Sequence, residues 1–286
     1  MGTESTDLTA RVAASFDGAG DERLRTILAS LVRHLHAFVG DVRPTLAEWE
    51  AAIGFLTATG QACTDTRQEY ILLSDVLGVS TLVESLNARA GAAATESTVL
   101  GPFHVVASPP RANGDSIDLV GRGEPCLVAG TVRAEDGQPL PGATVDVWQC
   151  DQDGFYDVQR PDAQPPGNGR GLFTADAAGR FHFRTVVPSH YPIPTDGPVG
   201  ELLRLTGRHP YRPAHIHFIA AADGHHPVTT HVFVAGGPYL DSDAVFAVKP
   251  SLVREFTLVD DEARAAAAGL ANPFRQVEFD IVLGGG

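Results

Sequence analysis

Cysteine is scarce: Cys63, Cys126 and Cys150 are the only three in 286 residues. They fall in no zinc-binding spacing and cannot all pair within the chain, which excludes a disulfide scaffold and a zinc ribbon. Reduced thiols in the cytoplasm are the plain expectation. Basic residues are short as well, 21 Lys and Arg against 35 Asp and Glu, for a formal net charge of -14. A nucleic-acid partner needs a basic face and is not expected; acidity of this kind otherwise reports solubility. No apolar run approaches a membrane span, so no membrane partner is expected either. Met1 to Ala10 are polar and acidic, unlike a secretory signal. The length suits one large domain or two modest ones.

Two textures follow one another. Up to about residue 98 the chain reads as helical. Leu24, Ile27, Leu28, Leu31, Leu35 and Phe38 recur at the spacing of one helix face. Thr45 with Glu48 forms a capping box before Leu46 to Leu56, and Thr66 with Glu69 forms a second before Tyr70 to Leu77. Val79 to Leu86 reads as one more short helix after Gly78. His34 and His36 lie two apart on a helix and diverge, so they read as solvated or helix-packing residues.

From about Val99, Gly and Pro punctuate short runs of β-branched and aromatic residues. Strands are expected over Cys126 to Val132, Ala143 to Gln149, Arg180 to Val186, Ala214 to Ala220, Thr229 to Val234 and Gln276 to Leu283, with a helical return over Asp260 to Leu270. The fold class is therefore mainly β with α: an antiparallel β-sandwich over 99–286 and a helical domain over 1–98.

Arg212-Pro213-Ala214-His215-Ile216-His217 opens an apolar strand. Side chains two apart on a strand share a face, with Cα atoms about 6–7 Å apart, so two imidazoles can converge on one metal. Hydrogen-bonded histidines on one sheet face explain the pair equally well, and His-x-His also serves zinc and copper. Tyr156 and Tyr191 sit in loops hemmed by Gly and Pro. Most loop tyrosines are rim or packing residues, but phenolate is a hard oxygen donor that suits Fe(III), as the tyrosine ligand of catalase haem does.

The stretch GTVRAEDGQPLPGATVDVWQCDQDGFY, the segment HYPIPTDGPVGELL and the segment GRHPYRPAHIHF, in that order, resemble the intradiol ring-cleavage dioxygenases. The resemblance implies one Fe(III) per subunit held by Tyr156, Tyr191, His215 and His217, with Tyr191 and His215 axial. It implies an aromatic diol or triol and O2 as the reactants, and Arg212 stabilising charge at the site edge. It makes 99–286 the catalytic domain and 1–98 a dimerisation domain, joined as a homodimer with phospholipid between the helices. An apolar helix face would serve an intramolecular core equally well. One departure is Thr229-Thr230-His231, where catechol enzymes usually read Thr-Thr-Gln; His231 there can donate to peroxide or anhydride oxygens, or stand by.

That departure, with LLSDVLG from Leu72 to Gly78, VTTHVFVAG and YLDSDAVFAVKPSLV, resembles the hydroxyquinol-cleaving branch. By family position, Leu72, Val99, Leu100, Gly101, Pro102, Phe103, Ile193, Pro194, Arg212 and Val245 wall the substrate slot. Asp75 is the expected acceptor for a third ring hydroxyl. Catechol cleavage is the alternative within the same chemistry. A zinc hydrolase lacks a matching carboxylate or third histidine motif, and a non-catalytic transthyretin-like sandwich leaves both tyrosines and RPAHIH unexplained.

Overall fold

The computed structural model describes residues 3–65, 67–87, 93–104 and 107–286. The chain gathers into two compact units, Met1–Ala58 and Thr59–Gly286. The first holds α1 (Thr3–Ala14), α2 (Glu22–Val42) and most of α3 (Leu46–Gln61). Helix α1 falls in the stretch that reads as helical, though no repeat singled it out; Thr9 on it meets His36 Nδ1 on α2 at 2.9 Å, so His36 is a helix-packing histidine. Asp21 caps α2, its carboxylate accepting from the amides of Arg23 and Leu24 at 2.8 and 3.2 Å. The Thr45–Glu48 box is formed, at 2.7 and 3.3 Å. The Thr66 half of the second expected box lies outside the described residues, and Gln68 precedes the next helix without a side-chain cap bond. No residue of α2 is buried: Leu24, Ile27, Leu31, Leu35 and Phe38 are 47–59% exposed.

The second unit takes in α4 (Glu69–Val76) and α5 (Val79–Asn87), so the change of texture near Val99 falls inside it. Its strands are β1 (Pro125–Ala134), β2 (Thr144–Trp148), β3 (Arg170–Thr174), β4 (Arg180–Val186), β5 (Tyr191–Pro192), β6 (Tyr211–Arg212), β7 (His215–Ala221), β8 (Val228–Val234), β9 (Val253–Arg254), β10 (Thr257–Val259), β11 (Phe274–Glu278) and β12 (Ile281–Leu283). Helix α6 (Pro198–Leu205) lies between β5 and β6, and α7 (Glu262–Ala268) between β10 and β11. One sheet runs β10-β11-β1-β12 with β4 also paired to β1; the other runs β3-β2-β7-β8-β9.

Most pairings are antiparallel, but β1 lies parallel to β11 and β12, and β8 parallel to β9. The single final strand expected from Gln276 to Leu283 is two strands. At the break, the Phe279 amide donates to Ala129 O at 2.9 Å, while Asp280 Oδ1 accepts from the Thr131 amide at 2.8 Å. A side chain there replaces a backbone acceptor, and the ladder steps aside.

Both faces of β7 are buried. Ile216, Phe218 and Ala220 face the sandwich interior, where the Phe218 ring lies 5.2 Å from Phe279 and 6.2 Å from Phe181 of the facing sheet. His215 and His217 therefore point to the opposite face, which loops must close.

Candidate active site

Trp148 on β2, His217 on β7 and His231 on β8 stand directly opposite one another across three strands. Over this row close two tyrosine-bearing loops. Gly154, at φ +83, lets them meet: a Cβ there would come within 2.9 Å of Tyr191 Cβ. Tyr191 pairs with Arg212 in the β5–β6 ribbon, so the second tyrosine is registered against the segment that leads into the histidines.

The four expected ligand atoms converge. Tyr156 Oη lies 3.2 Å from Tyr191 Oη and 3.1 Å from His217 Nε2, which is 3.1 Å from His215 Nε2. All four side chains are at most 1% exposed. His215 Nδ1 donates to Pro213 O at 2.7 Å, which leaves its Nε2 as a lone pair. Two imidazole lone pairs 3.1 Å apart repel unless positive charge lies close by. Arg212 Nη1, 3.2 Å from His215 Nε2, supplies some of it; two phenols and two imidazoles around one point are a donor set for a trivalent cation.

The electrostatics agree. Burial holds His215 and His217 well below the ordinary histidine value, with Arg212 adding to it, so both rings are neutral. Burial pushes both phenols above their ordinary value, opposed by Arg212. A cation held there would be what turns them into phenolates.

His215, His217 and His231 also lie close enough to form a three-histidine site, their ligand atoms all within 4.8 Å. The orientation favours the tyrosine-containing set. His231 Nε2 is 2.7 Å from His217 Nδ1, on the ring edge away from Nε2, and His231 Nδ1 is 2.5 Å from Thr98 Oγ1. Both nitrogens of His231 are taken by protein partners, so the expected hydrogen bond from it to reacting oxygens has no free donor.

Arg212 is 2% exposed and held by Asp243, Nε to Oδ1 at 3.1 Å and Nη2 to Oδ2 at 3.4 Å. Burial works against its charge, but Asp243 and the tyrosines outweigh that and raise its pKa. Asp243 is itself fixed by the amides of Val245 and Ala247, at 3.3 and 3.0 Å. Asp75 is 1% exposed, and among the described residues neither of its oxygens has a hydrogen-bond partner of good geometry. Burial pushes its carboxyl up to about 6, opposed by Ser80 and Arg212; the Ser80 hydroxyl is also 2.8 Å from that of Ser74.

Among the expected wall residues, Leu72, Pro102, Phe103 and Pro194 line one cavity of about 340 Å³. Phe103 stacks on Tyr156 at 4.5 Å. Gly101 packs on His217, a Cβ there meeting Cε1 at 3.3 Å. Val99, Ile193 and Val245 are buried and Leu100 is 38% exposed, and none of the four is in that lining. Val245 instead donates its amide to Asp243, the partner of Arg212, whose charge also reaches Asp75.

Several supporting residues escaped the sequence. Arg170 is fully buried and donates to Asp157 Oδ1 at 2.8 Å and to Phe103 O at 2.9 Å, bracing the residue after Tyr156 and the slot wall together. Trp148 stacks on His217 at 4.5 Å and 14°, and His104 lies tilted against the same indole at 4.3 Å. Asp243 and Thr98 carry no local pattern that would single them out; the Trp148 position was visible only as part of the quoted signature.

The comparisons with known proteins agree with this geometry. Residues 106–285 match the family described as Dioxygenase, and residues 21–95 the catechol dioxygenase N terminus. The chain is 50% identical to hydroxyquinol 1,2-dioxygenase of Rhizobium sp. strain MTP-10005, over 95% of this chain and 92% of that one. It is 51% identical to 6-chlorohydroxyquinol 1,2-dioxygenase of Cupriavidus pinatubonensis, over 89% and 92%. The crystal structure of hydroxyquinol 1,2-dioxygenase from Pseudomonas putida DLL-E4 superposes with a TM-score of 0.88 at 45% identity, covering 99% of each chain. A zinc hydrolase and a non-catalytic sandwich are thereby set aside: a buried two-tyrosine, two-histidine cluster on a β-sandwich, in a chain with these relatives, makes this protein an enzyme of the intradiol ring-cleavage dioxygenase family.

Proposed function

We propose that the protein opens hydroxyquinol, benzene-1,2,4-triol, between its adjacent hydroxyls with O2, giving 3-hydroxy-cis,cis-muconate or its tautomer maleylacetate. The observation that carries this reading is Asp75, a buried carboxylate that no described residue pairs at good hydrogen-bond geometry and that feels the charge of Arg212. A buried acceptor left unpaired is costly, so a substrate whose hydroxyl reaches Asp75 and completes it is favoured over one that lacks that hydroxyl. The names of the relatives point the same way.

Tyr156, Tyr191, His215 and His217 would hold one Fe(III) per chain. The ion would supply the Lewis acidity that acidifies the diol and lets the electron-rich ring react with O2 without an external reductant. Tyr191, held by the ion as a phenolate, would be the group to take a proton from a substrate hydroxyl, and burial raises its affinity for that proton. Arg212, fixed by Asp243, stabilises negative charge that develops on the ring and its oxygens. Leu72, Pro102, Phe103 and Pro194 offer the flat apolar wall that a ring needs.

The test compares hydroxyquinol with catechol under isotopic O2. Label should enter an intradiol product without NADH or Fe(II), and extradiol cleavage or a reductant requirement would overturn the reading. Asp75→Ala should narrow the hydroxyquinol preference by about ten- to a hundred-fold in kcat/KM, worth roughly 1–3 kcal/mol, with iron retained. An unchanged ratio would remove Asp75 from the role. The unpaired state has its own signature. The folded pKa of about 6 lies above the ordinary 3.8, so protonation favours the fold. That stabilisation is complete below 3.8 and lost as pH rises through about 6, so Asp75→Asn should raise the melting temperature at pH 8 and not at pH 3.

We extend the proposal to a cytoplasmic homodimer joined through α2, with phospholipid acyl chains filling gaps in the joint. Five apolar side chains about half exposed on one helix face support it, as do three free cysteines. Among the described residues no helix is long and apolar enough to cross a membrane. In sedimentation, Leu31→Glu with Leu35→Glu should convert a dimer to monomer; a monomeric parent would end this reading.

A further inference from the structure

We propose that His231, braced by Thr98, is a positioning residue that locks the His217 ring with Nε2 toward the metal and couples metal retention to the slot wall. This rests on the metal reading above. His217 and His231 are cross-strand partners on one face of β7 and β8, with ring centroids 4.1 Å apart. If His217 ligates through Nε2, its proton must sit on Nδ1, which donates to His231 Nε2 at 2.7 Å. His231 then carries its own proton on Nδ1, and that proton has one acceptor, Thr98 Oγ1 at 2.5 Å. The three groups are buried, at 1%, 0% and 2% exposure, so no water competes for these protons.

Thr98 is not a loose end. Its amide donates to Thr229 O at 2.8 Å, and the Thr230 hydroxyl donates to Glu96 O at 2.7 Å, which zips residues 96–98 onto β8. The very next residue, Val99, opens the wall segment, and two residues further Gly101 lies against the His217 ring. Trp148 closes a ring face, so His217 is confined by a hydrogen bond, a stacked indole and the wall backbone. A glutamine at position 231 could also accept from Nδ1–H through its amide oxygen; a leucine could not.

The test follows iron loss from the iron-loaded protein to excess EDTA, read as total iron and as the visible absorption, alongside the melting temperature of the metal-free protein. His231→Leu should shed iron about 10- to 100-fold faster than the parent. Thr98→Val should move the same way by several-fold, and His231→Gln should stay within about three-fold. A merely structural role would be seen as metal-free melting temperatures that track the iron-loss order. That tracking, or a His231→Gln that sheds iron as fast as His231→Leu, would overturn the inference. If His231→Leu does not fold, Thr98→Val decides: iron loss at the parent rate overturns it. A parent that takes up no iron would bring down the metal reading itself, and this inference with it.

Discussion

Tyr156→Phe and His217→Ala are each expected to remove bound iron, visible colour and turnover together. The parent should carry about one iron per chain and absorb broadly across the visible from tyrosinate-to-Fe(III) charge transfer. Each substitution deletes one of four donors gathered within 3.1–3.2 Å of a neighbour. Tyr156 is buried against Phe103, and Arg170 braces the following residue, Asp157, so the phenol is held in place. Rates should fall by at least about three orders of magnitude, the scale on which a metal-activated reaction exceeds its metal-free counterpart. Metal analysis and an absorption spectrum on the purified variants suffice. Full colour in both would refute the ligand set.

Arg212→Lys should be the next most damaging change, and it should leave the colour in place. The guanidinium is fixed at both ends, by the Asp243 carboxylate and near His215, in a geometry an ammonium cannot copy. Loss of one preorganised donor to developing charge costs about 10²–10³ in kcat. Asp243→Asn should repeat part of that loss, and it should also lower stability by roughly 3 kcal/mol, because Arg212 is left charged and buried without its partner. Saturating kinetics with an iron assay separate the two effects. A kcat within five-fold of the parent for Arg212→Lys would mean that the charge is stabilised elsewhere.

The convergence of Tyr156, Tyr191, His215 and His217 was legible through three family-like segments in order, since His-x-His on a strand and loop tyrosines alone left other readings open. The strands with long alternating runs were legible because their pattern is local. What escaped was set by distance in sequence. Asp243 meets Arg212 across 31 residues and Thr98 meets His231 across 133, and nothing in YLDSDAV or ESTVL announces either partner. Strand β3 hid behind two glycines in Asn168-Gly169-Arg170-Gly171, taking Arg170 with it. The role expected of His231 changed because a sequence cannot tell which edge of a neighbouring imidazole it will face.

The pairing of β1 with β11 and β12 has a consequence for synthesis on the ribosome. All four proposed ligands and every strand of their sheet have been made by Arg254, yet β1 still waits for residues 274–283 along one edge. Until Phe279 emerges, Phe218 lacks the ring that covers it. A nascent chain can therefore gather its metal-binding sheet while one side of the sandwich lies open, with an unpaired strand edge and apolar side chains exposed. Closure spans most of the second unit and is slow by its topology. A chain lacking them would be sticky before it was inactive, so residues 274–283 act as the closing stitch of the whole catalytic unit.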